Sequence, residues 1–413
     1  MIEARCRSCR GQDLRLVVDL GMSPLSNALR RAEDLGRMEP FYPLRLLVCS
    51  SCFLVQVEAF ESPADIFDAD YAYFSSFSAS WLAHAQALAS RMVTERSLGP
   101  DSLVVEIASN DGYLLQYFAQ RGVPVLGIEP AANVAAEARR KGVATESCFF
   151  GAATAARLAG EGRMADLLIG NNVLAHVPDM EDFVSGLKLV LKPGGAISME
   201  FPHLLRLLDD GLFDTIYHEH YSYLSLCTVE AAFARHGLAV VDVEELPTHG
   251  GSLRIHARHA SEVPAAAASA ALEDLRTREA ERGVQSLAAY ASFGARVAAT
   301  RNQALRFLTQ AAMDGKRVVG YGAPAKATTF LNYCGIRSDL IAFTVDRSTH
   351  KQGRYIPGVH LPILAPEALD AARPDYVVIF PWNLREELAQ QLRHVAQWGG
   401  RFVQFLPRFE VFG

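Results

Sequence analysis

The chain has 413 residues, half of them hydrophobic and 21% charged, which is enough apolar material for two or three packed domains. Its 40 lysines and arginines against 46 acids leave a formal net charge of -6, so no basic excess draws phosphate backbones and nucleic acid is excluded as a partner class. No apolar run reaches the roughly 20 residues that span a bilayer, and no apolar stretch follows a basic start, so a cytoplasmic protein without a membrane partner is expected.

Residues 1–70 read as a loop-rich N-terminal domain. Cys6-Arg7-Ser8-Cys9 and Cys49-Ser50-Ser51-Cys52 are two C-x-x-C knuckles. Each grips an ion with two thiolates, and together they complete a tetrahedral site with no open position, which suits structural zinc. Free thiols or a redox pair are the alternatives, but redox motifs come singly. The seven cysteines do not read as a disulfide framework, which favours a reducing compartment.

Residues 71–263 alternate short apolar runs with helical patterns. Strands are expected over 103–107, 123–129, 166–170 and 195–200, and their alternation with helices predicts a parallel sheet covered on both faces. The run Glu106-Ile107-Ala108-Ser109-Asn110-Asp111-Gly112-Tyr113-Leu114 is a strand, a tight turn and a helix start, which favours close approach of a ligand to backbone N–H groups. It is no dinucleotide fingerprint, because Gly112 is its only glycine. Glu129-Pro130 ends the next strand with an acid placed for ribose hydroxyls; a solvated strand end is the plain alternative for Glu106 and Glu129, and a nicotinamide dinucleotide is a second ligand reading. Gly170-Asn171-Asn172-Val173-Leu174-Ala175-His176 follows a later strand, with Asn172 and His176 expected on one face of a helix start. Phe201-Pro202-His203 comes next, then the densest polar cluster, Tyr217-His218-Glu219-His220-Tyr221-Ser222-Tyr223. Histidine suits proton transfer near neutral pH. A metal held by His218 and His220 on one strand face, or a structural histidine ladder, are the competing readings.

Residues 264–413 open with an alanine-rich helical region in which Leu287, Tyr290, Phe293 and Val297 recur at three- and four-residue spacing. A second alternating pattern follows, with strands over 318–321, 340–345, 376–380 and 402–405. Gly320-Tyr321-Gly322-Ala323-Pro324-Ala325-Lys326 reads as a strand, a glycine turn and a helix start suited to phosphate. Lys351 and Arg354 are candidates for a diphosphate, with a solvated loop as the alternative, and Pro381-Trp382-Asn383 is placed to pack on a base or sugar.

The paired knuckles, Glu-Ile-Ala-Ser-Asn-Asp-Gly, Gly-Asn-Asn-Val-Leu-Ala-His-Val, Tyr-His-Glu-His-Tyr-Ser-Tyr and Gly-Tyr-Gly-Ala-Pro-Ala-Lys resemble, in this order, the bacterial nucleotide-sugar C-methyltransferases. These make branched deoxysugars of antibiotic biosynthesis such as mycarose, tetronitrose and noviose. The resemblance implies an α/β architecture: a class I methyltransferase Rossmann-like sheet between a small zinc-binding domain and a C-terminal Rossmann-like domain. It implies S-adenosylmethionine at Glu106, Ala108, Asn110, Gly112, Tyr113, Leu114, Glu129, Pro130, Asn171 and Asn172. A dTDP-4-keto-deoxysugar is implied in the cleft between the last two domains, near Asn172, His176, His203, Tyr321, Lys326, Lys351 and Arg354. His220 is then the general base, with Tyr217 and Glu219 orienting it or the sugar and Tyr71 or Tyr73 reaching in. The expected reaction is methylation of a carbon beside the ketone, C3 in preference to C5, through an enolate whose oxygen meets donors near Asn172 or His176. A sugar O- or N-methyltransferase, a nucleotide-sugar-binding protein on a degenerate scaffold, and an epimerase or dehydratase are the other readings. A monomer satisfies all of them.

Overall fold

Runs of branched apolar residues become the strands of two largely parallel sheets, and a third, antiparallel sheet carries the cysteines. The computed structural model describes residues 5–62, 74–264 and 267–413. Three strands, β1 (Leu14–Ser23), β2 (Tyr42–Cys49) and β3 (Val55–Val57), form the N-terminal sheet. The central sheet takes β4 (Val104–Ile107), β5 (Val125–Ile128), β6 (Thr145–Glu146), β7 (Ala165–Asn171) and β8 (Leu191–Pro202). The two-residue β9 (Ser222–Tyr223) leaves the central segment and pairs with β3, so the N-terminal sheet is completed from elsewhere in the chain. The hairpin β10 (Leu238–Leu246) and β11 (Ser252–His259) closes the central sheet in the order β10-β11-β8-β7-β4-β5-β6.

Strand order reverses between β4 and β7, which run parallel to each other. Crossovers leave that point in opposite directions and open a crevice beyond the carboxyl ends of the strands. The C-terminal sheet comprises β12 (Val318–Tyr321), β13 (Thr344–Val345), β14 (Tyr355–Ile356), β15 (Leu361–Leu364), β16 (Tyr376–Ile379), β17 (Arg401–Gln404) and β18 (Glu410–Phe412). Its order is β14-β15-β13-β12-β16-β17-β18, with only the two edge strands antiparallel.

The helical region after Pro264 is not one helix. Helix Ala270–Arg282 ends at Gly283, whose φ of 72° stops it in a left-handed cap. A short helical turn, Leu287–Tyr290, precedes helix Phe293–Met313; Tyr290, Phe293 and Val297 are buried as the spacing predicts, while Leu287 stays 41% exposed. One apolar core runs from Leu46 and Val55 through Phe213, Ile216 and Phe293 to Phe330 and Trp382. The three parts therefore share packing rather than merely abutting.

The knuckles are built alike. Cys6 N–H donates to the Gly11 carbonyl at 2.8 Å and Cys49 N–H to the Leu54 carbonyl at 3.0 Å, and the residue after each second cysteine is left-handed, Arg10 at φ 63° and Phe53 at φ 60°. The four sulfurs lie within 4.8 Å of one another, with Cys6–Cys52 at 3.4 Å and Cys9–Cys49 at 3.5 Å. Four thiolates around zinc at about 2.3 Å stand about 3.8 Å apart, so this cluster fits that ion. Arg10 pairs with Asp179 at 2.7 Å and Arg235 donates to Ser8 Oγ at 2.5 Å, which dock the knuckles on the central part. The purified chain is expected to carry about one zinc, and Cys49→Ala to carry less than about a tenth of an equivalent. Metal analysis with calorimetry checks this, and the variant's first thermal transition should move to lower temperature.

Candidate active site

A cavity of about 350 Å³ opens beyond the carboxyl ends of β4, β5 and β7 and is closed on its far side by the C-terminal part. At the β4 end, Ala108, Asn110 and Gly112 take φ of 55°, 50° and 78°. Three left-handed positions in five residues curl the turn as a glycine-rich loop does, with strain of roughly 1 kcal/mol or more at Ala108. Gly112 is required, since a Cβ there would lie 2.9 Å from Val143 Cγ2. Asn110 N–H donates to Glu129 Oε2 and Ala131 N–H to Glu129 Oε1, both at 2.9 Å. Each carboxylate oxygen keeps a lone pair for a diol. Burial pushes the Glu129 carboxyl up to about 7. Pro130, Tyr113, Phe149 and Phe150 supply apolar wall. Asn171 Nδ2 donates to the Tyr113 hydroxyl at 3.1 Å. This end fits an adenosine-type group.

At the other end, His220 Nδ1–H donates to the Thr215 carbonyl at 3.0 Å. That bond assigns the tautomer and leaves the lone pair on Nε2, where the Tyr217 hydroxyl donates at 2.8 Å. Burial, followed by the neighbouring His176, holds the imidazole well below its ordinary range, so it is neutral at pH 7. His176 Nδ1–H donates to the Glu219 carbonyl at 2.7 Å, and burial lowers its pKa to about 4. The two rings meet edge to face at 4.7 Å. The Glu219 carboxylate accepts from Asn27 N–H and Nδ2 and does not contact His220. Thr215 and Tyr217, rather than Glu219, are the residues hydrogen-bonded to the His220 ring.

Asn172 lines the cavity from a left-handed turn, φ 55°, ahead of the short helical turn Leu174–His176. The predicted shared helix face of Asn172 and His176 is therefore replaced by a bend. His218 Nε2–H donates to the Pro43 carbonyl at 3.1 Å, and the ring stands edge-on to Tyr42 and Phe60. It does not share a strand face with His220, and among the described residues the cysteine cluster is the only grouping with metal-ligand geometry.

Lys326 and Lys351 reach the cavity from the C-terminal part. Other expected residues do not. Leu114 is fully buried in the core behind β4, and Tyr321 packs among Val345, Val377 and Phe402. Glu106 is fully enclosed below the turn, where burial raises its carboxyl well above the usual range. His203 is buried and bound to Glu279 at 2.9 Å, a carboxylate that also accepts from Leu226 N–H and Cys227 N–H. Arg354 sits before β14, its carbonyl taken by Ile363 N–H, and is not among the wall residues. Trp382 is buried with its Nε1–H on Asp214, turned from any base or sugar. Tyr71 and Tyr73 lie outside the described residues.

Sequence reading missed His249 and what stands behind it. His249 lines the cavity from the β10–β11 turn at φ 54°, and Gly250 follows because a Cβ there would lie 2.2 Å from the Trp382 ring. Behind it, buried Glu200 accepts from His84 Nε2 at 2.8 Å, Arg254 at 2.6 Å and Thr248 Oγ1 at 2.7 Å. The Thr-His-Gly-Gly run between two alternating stretches was the available signal.

Comparison with known proteins follows the same three parts. Residues 6–67 match a zinc binding domain family, 81–243 a methyltransferase domain family, and 247–407 a C-methyltransferase C-terminal domain family. The last begins within the β10–β11 hairpin, so that hairpin belongs to the central sheet in space and to the C-terminal family in sequence. The C-methyltransferase NovU of Streptomyces niveus is 35% identical over 409 residues, covering 98% of this chain and 96% of its own. The ubiquinone biosynthesis O-methyltransferase of Rhizobium etli is 30% identical over 98 residues, 23% of this chain and 38% of its own. Among solved structures, magnesium protoporphyrin IX methyltransferase from Synechocystis PCC 6803 with bound SAH aligns at TM-score 0.35 and 18% identity, over 43% of this chain and 82% of that one.

The Glu129 carboxyl titrates near 7 and accepts best when ionised. Affinity for S-adenosylhomocysteine should therefore fall roughly tenfold as pH drops from 8 to 6. Calorimetry across that range checks this, and Glu129→Gln should bind more weakly with most of the dependence gone.

Proposed function

Because the chain belongs to the C-methyltransferase family across nearly its whole length, we propose that it methylates a carbon beside the ketone of a nucleoside-diphosphate 4-keto-deoxysugar. C3 and C5 both flank such a ketone. The observation that carries this reading is that the Nε2 lone pair of a neutral, buried His220 and the Glu129 carboxylate face one cavity. Carbon depends on a base more than oxygen does, since oxygen has a lone pair to attack with, whereas a C–H bond beside a ketone gives up its electron pair only as its proton leaves and the charge spreads into an enolate.

S-adenosylmethionine, when bound, supplies an electrophilic methyl carbon on a sulfonium. Glu129, Asn110 and the left-handed turn hold its nucleoside, and Tyr113 with Phe149 and Phe150 shield it from water. His220 takes the proton on Nε2 while the Thr215 carbonyl keeps the ring aimed and offsets part of the imidazolium charge. The Tyr217 hydroxyl holds Nε2 at rest and yields it to the substrate. Lys351 faces the cavity where a diphosphate enters. That anion strengthens the base on arrival, because negative charge nearby favours the imidazolium.

A panel of nucleoside-diphosphate 4-keto-6-deoxysugars with carbon-13-labelled methyl donor tests the reading by NMR. The label should appear on a carbon adjacent to the ketone. His220→Asn should lower kcat by about 10²–10⁴-fold with KM nearly unchanged. Label on oxygen or nitrogen, or full turnover by the variant, contradicts it.

A further inference from the structure

Deprotonation beside a ketone places negative charge on the ketone oxygen, and neither His176 nor His220 accounts for it. His176 has spent its Nδ1–H on the Glu219 carbonyl, so its Nε2 carries a lone pair rather than a donor. His220 is committed to the carbon. Asn172 and His249 also line the cavity but are uncharged donors, and a cation serves best in a site sheltered from water.

Lys326 enters the cavity from the first turn of helix Ala325–Cys334. Its Nζ donates to Asn383 Oδ1 at 2.7 Å and lies 4.2 Å from the centre of the Trp382 ring. The Trp382 Nε1–H donates to Asp214 Oδ2 at 2.7 Å, so one indole stands between a buried ammonium and a buried carboxylate. An ammonium has three N–H donors, and Asn383 uses one of them. The helix that carries Lys326 is bolted to the base-bearing turn. Thr329 Oγ1 donates to the Ile216 carbonyl at 2.8 Å and Thr328 Oγ1 to the Ser26 carbonyl at 2.9 Å, both threonines being buried. Along three consecutive residues, Asp214 faces the lysine's indole, the Thr215 carbonyl holds His220, and the Ile216 carbonyl holds the lysine's helix. One turn thereby braces both the base and the element that carries the cation.

We propose that Lys326 is the oxyanion-stabilising residue of the reaction, its ammonium donating to the ketone oxygen and carrying the charge of the enolate. This rests on the enolate reading given above. The C–H bond breaks, its proton goes to His220 Nε2, its electron pair forms the carbon–carbon double bond, and the carbonyl π pair moves to the oxygen that Lys326 holds. The titratable groups facing Lys326 are Asp214, His220 and His249. Burial lowers the lysine to about 8 while Asp214 acts to raise it, so it is cationic at pH 7. His249 is held near 4 by burial and is neutral there. Lys351 donates to the Ala323 carbonyl at 2.9 Å and lies 3.9 Å from Asp346, which leaves it to the diphosphate.

The test uses the full-length, zinc-loaded chain with S-adenosylhomocysteine filling the donor site and thymidine-diphosphate 4-keto-6-deoxyglucose in deuterium oxide. NMR reads deuterium entering beside the ketone, and calorimetry reads the affinity for free thymidine diphosphate, which has no ketone. The wild type should exchange and His220→Asn should not. Lys326→Met should slow exchange at saturation by about 10²–10³-fold while thymidine diphosphate affinity stays within about threefold. Lys326→Gln, which keeps a polar group over Trp382, gives the same result if the methionine variant does not fold. Exchange that does not depend on His220, or none at all in the wild type, overturns the enolate reading and this inference with it. Exchange that needs His220 but proceeds at the wild-type rate in both lysine variants overturns this inference alone. A loss of diphosphate affinity with exchange at saturation unchanged overturns it too, and assigns Lys326 to the phosphates.

Discussion

The bond from His220 Nδ1–H to the Thr215 carbonyl is the constraint from which the rest of the site follows. An imidazole has one proton to place when neutral, and a buried carbonyl within reach decides which nitrogen keeps it. With Nδ1 committed, Nε2 becomes the acceptor that faces the cavity. The same logic removes His176 from its expected role as a donor to the enolate oxygen, because its Nδ1–H is bound to the Glu219 carbonyl. Two histidines 4.7 Å apart are thus not interchangeable. One is oriented with Tyr217 at its lone pair, and the other packs against it and lowers its affinity for a proton.

The turn that supplies these carbonyls is held by parts of the chain far apart in sequence. Phe213 packs against Phe330 and Tyr333 of helix Ala325–Cys334, Asp214 binds Trp382, and β9 just beyond the turn completes the N-terminal sheet. Asn27 from the N-terminal part fixes Glu219. A fully buried phenylalanine contributes roughly 1.5–3 kcal/mol by burial alone, and several such residues sit in the core that crosses all three parts. The zinc knuckles act at one remove. They tie the start of β1 to the β2–β3 turn of a sheet whose fourth strand follows His220 by one residue.

What the sequence disclosed, and what it withheld, has physical causes. The central and C-terminal sheets were legible because buried parallel strands such as Val104–Ile107 and Tyr376–Ile379 are unbroken apolar runs. The N-terminal sheet was not, since β1 mixes exposed Leu16 with buried Val17 and Val18 around two register shifts. The cofactor turn was visible as a turn, but nothing in an alanine announces the φ of 55° at Ala108. His220 and Tyr217 stood out by their density of polar neighbours. Leu114, Tyr321 and His203 came in by adjacency to motifs, and adjacency along a strand or helix start does not say which face a side chain takes. His249 was missed because its role depends on a hairpin tip packed against Trp382, a contact between residues far apart in sequence.

The account turns on where one proton sits in the resting enzyme. Nitrogen-15 NMR of the histidine-labelled chain, with His220 assigned through His220→Asn, reads that directly at pH 7. A neutral ring protonated at Nδ1 with an unprotonated Nε2 is the predicted state; a ring protonated at Nε2, or an imidazolium, contradicts it.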